Sequence, residues 1–120
     1  MKTVGQIEEA ISTALSQFER QFWGHGPKSI RTHVVGEAAM VRVQFVSTPA
    51  EALLISNSQH CEVLAQSRRL ALSSVREELC QLVSLAADAK VLRVFHDTDF
   101  GSATRMFVFE FERVVCRLQA

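Results

Sequence analysis

The sequence predicts an α+β domain in which helices cover one face of a four-stranded, mainly antiparallel sheet. Three observations carry this. A stripe of apolar residues at helical spacing opens the chain, alternating segments come in two pairs, and a helical stretch separates the pairs. The predicted order is α-β-β-α-α-β-β, in one domain spanning residues 1–120.

The opening stripe is Val4, Ile7, Ile11, Leu15, Phe18 and Phe22, which recur every three or four positions. Thr3 and Gln6 have the spacing of a capping box, and Gly24, Gly26 and Pro27 end the helix near residue 23. Two alternating segments follow, 29–35 and 38–46, around Gly36-Glu37. A Gly-x pair between β-rich runs reads as a two-residue hairpin turn. That turn sets Ile30, Thr32 and Val34 against Val43, Val41 and Ala39 on a face meeting the helices. On the other face it sets Arg31 across from Arg42 and His33 across from Met40.

Thr48-Pro49-Ala50-Glu51 is a helix start, with Thr at the cap, Pro first and Glu third. A short helix is expected to about residue 55 and a longer one over 59–87. Leu64, Leu72, Val75, Leu79, Leu82 and Ala86 mark the buried side of the longer one. Asp88-Ala89 turns into a strand over 90–96. Residues 97–103 read as a polar loop and 104–112 as the last strand, with Phe107, Phe109 and Phe111 turned inward.

The loop Gly24-His25-Gly26-Pro27-Lys28-Ser29-Ile30-Arg31 and the Thr48-Pro49-Ala50-Glu51 start, in this order, resemble a bacterial family of small domains. The family is named for the C component of a sodium-translocating, membrane-potential-generating system (MpsC-like). Its best motif, Gly-x-Gly-Pro-Lys-Ser followed by Arg, is matched by Gly24, Gly26, Pro27, Lys28, Ser29 and Arg31. The chain departs from the family at Asp88-Ala89, where Thr-Gly is usual, and at Asp97-Thr98-Asp99-Phe100. The resemblance implies an accessory or regulatory module beside a membrane ion or bicarbonate uptake system; a cytoplasmic location is expected from the cysteines, which read as reduced thiols. The module acts through a protein partner, since no apolar run approaches the roughly 20 residues that span a bilayer.

Thirteen basic and thirteen acidic side chains give a formal net charge of zero. That argues against nucleic acid as a partner, because phosphate binding calls for a basic excess. It also leaves little repulsion between copies, and a homodimer is expected through the mixed outer sheet face or a strand edge. The competing expectation is that residues 114–118 fold back over that face.

Cys61, Cys80 and Cys116 form no Cys-x-x-Cys pair and read as reduced thiols. The four histidines are scattered, so no metal or other cofactor is expected. The Gly24–Ser29 loop fails the spacing and order of a phosphate loop. Arg31 opposite Arg42 is the sharper hint, since like charges directly across a strand pair are destabilising. Lys28, Arg31, Arg42, Gly24 and Gly26 are therefore the candidate ligand- or partner-binding residues. A small anion or nucleotide, or a partner's carboxylate, would neutralise the arginines, and so would Glu110 or Glu112 in a network within the sheet alongside Arg93.

His96-Asp97 is the one pair suited to general-base chemistry. No nucleophile motif accompanies it, and a turn-forming polar pair is the simpler reading. No catalytic residue is assigned. Arg68 falls on the apolar stripe of the long helix. It is expected either to lay its stem on the core edge with its head in water or to pair with Glu62 or a second subunit. Trp23 is expected to act as a packing anchor.

Overall fold

The computed structural model describes residues 2–115. Its elements are α1 (Val4–Trp23), β1 (Ser29–Val35), β2 (Ala38–Gln44), α2 (Pro49–Ala52), α3 (Ser58–Ser74), α4 (Arg76–Ala87), β3 (Val91–Asp99) and β4 (Thr104–Phe111). The strands form one antiparallel sheet in the order β1-β2-β4-β3. The α+β class and the succession of elements are those predicted.

Both predicted capping boxes form. The Thr3 hydroxyl accepts from the Gln6 amide while the Gln6 side chain accepts from the Thr3 amide, and Thr48 with Glu51 repeats the arrangement. Each such cap contributes about 1 kcal/mol. Gly24 ends α1 in the left-handed region, at φ 92°. Gly36 opens the β1–β2 turn at φ 58°. The hairpin register is the expected one, with Ile30 opposite Val43, Arg31 opposite Arg42 and His33 opposite Met40.

α1 and α4 lie over the inner sheet face and enclose a core built on Ile7, Ile11, Leu15, Leu72, Leu79 and Val83. From the sheet come Val41, Phe107, Phe109 and Phe111, all fully buried. A smaller core of Phe45, Ala65 and Phe100 sits beneath α3.

The helical middle departs from expectation. α2 ends at Ala52 and turns follow. The helix predicted over 59–87 is interrupted at Val75 (φ −115°, ψ 25°), which closes α3 and begins α4. A β-branched residue after Ser73-Ser74 is a weak point for helix continuation. Ser74 turns its hydroxyl back to the Ala71 carbonyl, competing with the ladder. The buried side of the stretch passes through Ala65, Arg68, Val83 and Ala87, while Leu64, Val75, Leu82 and Ala86 are only half-buried.

The loop expected over 97–103 is shorter. β3 continues through Asp97, Thr98 and Asp99 because they pair with Met106, Arg105 and Thr104. Val115 packs into the helix-side core, not over the outer face. Residues 116–118 of the expected covering segment lie outside the described residues.

Candidate functional site

The inner and outer sheet faces treat charge in opposite ways at the same end of the sheet. On the inner face, Ile30, Val43, Arg105 and Thr98 form one row across all four strands. Arg105 is fully buried and bonds Glu19 of α1 through two nitrogens, Nη2–Oε1 at 2.5 Å and Nε–Oε2 at 3.3 Å. Glu19 Oε2 also accepts from Trp23 Nε1 at 3.3 Å. Burial pushes the Arg105 guanidinium below its ordinary range, with Glu19 opposing that push.

Arg68 of α3 forms a second pair, to Glu51 of the capping box, at 2.7 and 3.1 Å. Burial raises the Glu51 carboxyl. The bonds from Arg68 and the Thr48 amide outweigh that effect and hold it below 4.5. The two guanidinium carbons lie 4.3 and 5.1 Å from the Trp23 ring centre, and both lie 4.9 Å from that of Phe45. Each cation is thus paired, stacked and shielded from water.

This corrects the expectation for Arg68. Its head is buried, and its partner is Glu51, not Glu62. Glu62 belongs to the neighbouring Arg69, which also bonds Asp97. Trp23 is the packing anchor expected, with the added task of seating two arginines. Arg68 Nη1, Arg105 Nη1, Thr98 Oγ1 and His96 Nδ1 are buried with no hydrogen-bond partner among the described residues. Two positive and two negative groups leave this corner without surplus charge, which disfavours an anion there.

His96 and Asp97 are successive residues of β3, so their side chains leave opposite faces of the sheet. His96 points inward, its imidazole pushed below 6.5 by burial and then by Arg105. Asp97 is exposed and held below 3.8 chiefly by its bond from Arg69. The strand therefore separates the pair that general-base chemistry would need together. Cys61 and Cys80 are free thiols, and burial raises that of Cys80; Cys116 lies outside the described residues. Among the described residues no group of three or more His, Cys, Asp or Glu is placed to hold a metal ion.

The outer face carries the candidate residues. Arg31 and Arg42 stand opposite each other, both exposed, and neither forms an ion pair among the described residues. Their row continues through Met106 to Asp97. The next row is His33, Met40, Val108 and Phe95. Glu110 pairs with Arg93 at 2.7 Å, so that pair forms without reaching Arg31 or Arg42. Lys28 is exposed at the start of β1, its amide bonded to the Gln44 carbonyl at 2.8 Å. Gly24 and Gly26 sit at the end of α1, Gly26 against the Arg20 side chain.

Fold and sites define a small α+β domain with one helix-covered sheet face, one face that the described residues leave open, and paired charges sealing one corner of the core. The chain belongs to the family described as Na+-translocating membrane potential-generating system (MpsC), which matches residues 3–113. It is similar to the protein YbcI of Bacillus subtilis (strain 168), described as uncharacterized. The two are 30% identical over 111 residues, 91% of this chain and 88% of the relative. No solved structure matches the chain. Among the described residues no helix is long and apolar enough to cross a membrane.

Proposed function

We propose that this chain is a non-enzymatic accessory or regulatory module, and that its partner is a protein of a membrane ion or bicarbonate uptake complex. The observation that carries the reading is the outer surface of α3. Val63 and Leu70, seven residues apart on one side of that helix, are 68% and 62% exposed. With Glu62, Gln66 and Ser67 they form one exposed face of α3. Exposed apolar side chains at this helical spacing suit a partner helix packed against that face. Family membership supports a membrane system as its source.

The test is native purification from detergent-solubilised membranes. Integral subunits of an ion-translocating complex should co-purify with the wild-type chain. A folded Val63→Asp/Leu70→Asp variant should lose them. Equal recovery with both chains would remove α3 as the docking surface. No membrane subunit with either would remove the reading.

A second reading, a cytoplasmic sensor of a small anion or nucleotide, is favoured by the unpaired facing of Arg31 and Arg42, with Lys28 nearby. It predicts that phosphate raises the melting temperature of the wild type and leaves Arg42→Ala unmoved. An equal rise in both would sink it.

A further inference from the structure

The open sheet face carries more information than its exposure. Its centre is apolar, with Phe95 56% exposed and Met40, Met106 and Val108 beside it. At one end of the strands its charges are segregated: Arg31 and Arg42 lie at the β1–β2 side, and Asp97 and Asp99 at the β3 side. Asp97 accepts from Arg69 on Oδ1 yet stays 75% exposed, and at the other end Arg93 and Glu110 answer each other.

We infer that this face binds a second copy of the chain, face to face, about a twofold axis in the sheet plane and parallel to the strands. The inference stands apart from the α3 docking surface. The argument is geometric. Rotation about that axis preserves height along the strands and reverses their lateral order. β1 of one copy then lies over β3 of the other, and β2 over β4. Arg31 meets Asp97 of the second copy, and Met40 meets Val108.

Each basic side faces an acidic side twice, as an isologous interface requires. The two sheets pack at the usual spacing, with their twist offsetting the strands by about 30°. An axis perpendicular to the strands is worse. Through the middle of the strands it sets Arg31 over His33 and Arg42 over Met40 and leaves both arginines without a counter-charge.

The size is adequate. Four strands about 4.8 Å apart and seven residues long at about 3.3 Å each cover roughly 440 Å² in projection. Side-chain relief adds to that, and a specific interface needs about 500 Å² per partner. A dimer on this axis gives Arg31 a carboxylate, lays Arg42 over Met106 and covers the apolar centre, leaving α3 of both copies outward.

Light scattering on the full chain tests this. The expected wild-type mass at tens of micromolar is twice 13.4 kDa, and Phe95→Asp should give the single mass with its fold retained. Arg31→Asp alone and Asp97→Arg alone should each lose the dimer, by at least tenfold in dissociation constant. Mixing the two variants should restore it, because each mutated side then meets its complement. A wild-type chain of single mass overturns the proposal, whether residues 116–120 or another protein cover the face. A dimer that survives Phe95→Asp overturns it as well. Failure of the mixture to restore the dimer, with both variants folded, overturns the axis. None of these variants touches Val63 or Leu70, so the two docking surfaces fail or stand separately.

Discussion

On the inner face of the sheet, Arg105 is sealed from water, bonded to Glu19 through two nitrogens and stacked near Trp23 and Phe45. On the outer face, at the same end of β2, Arg42 stands in solvent opposite another arginine. The residue type is the same and the stakes differ. Inside, low dielectric makes removal of one partner costly, because the other charge is left buried and unpaired. Outside, water screens the repulsion to a few tenths of a kcal/mol. The inner arginines hold elements together, tying α1 to β4 and α2 to α3. The outer ones lend the surface a charge that another molecule can answer.

The contrast is sharpest in the buried pair. Arg105→Met or Glu19→Gln should each destabilise the domain by about 3–5 kcal/mol, read as a lower denaturant midpoint with unchanged slope. The double replacement Glu19→Leu/Arg105→Met should recover most of that loss or exceed the parent. A double variant as weak as the singles would mean that the pair supplies net stability and not only mutual cancellation.

A smaller effect belongs to Glu51, less deeply buried than Glu19. Its carboxyl is held below 4.5 in the folded state. The stability it adds is therefore present above 4.5 and lost as pH falls through the lower folded value. Glu51→Gln should cost about 1–3 kcal/mol at neutral pH. It should also flatten the acid limb of a stability-against-pH curve. An acid limb identical to the parent's would show that other carboxylates set it.

The smallest effect belongs to the outer face. Arg42→Thr should shift monomer stability by no more than about 0.5 kcal/mol, toward gain, by relieving Arg31. A loss above about 1 kcal/mol would erase the distinction between the two faces.

The sequence made one face of this comparison readable and hid the other. The Arg31–Arg42 juxtaposition follows from a two-residue turn and a side-chain period of two, both local facts. Glu19 and Arg105 lie 86 positions apart, and their pairing depends on how α1 is laid across β4. A signal was present. Glu19 continues the Ile11–Leu15 spacing, and Arg105 shares the inward parity of Phe107, Phe109 and Phe111. A charged residue on a buried parity calls for an opposite one elsewhere, and these two answer each other. Arg68 carries the same signal, but a helix stripe alone points its head to solvent, because snorkelling is the usual fate of an arginine there. The break at Val75 and the extension of β3 were illegible for a related reason. Each is decided by packing between distant segments, which outweighs local propensity.

The strand order has a consequence for how the chain comes together. β1–β2 and β3–β4 are local hairpins that close small loops, whereas the β2–β4 ladder joins residues 60 to 72 positions apart, from Gln44–Thr104 to Ala38–Glu110. Non-local pairing of this kind slows folding, since the chain loses loop entropy before the contact rewards it. β4 also brings Phe107, Phe109, Phe111 and Arg105 to the core at once. During synthesis α1 can pack on β1 and α4 before residues 104–111 clear the ribosome, but β2 has no neighbour on its second edge until then. Glu19, made early, has no counter-charge until then. The last strand acts as a checkpoint: a chain truncated before it is left with an open core and an unpaired carboxylate, a form that chaperones and proteases recognise.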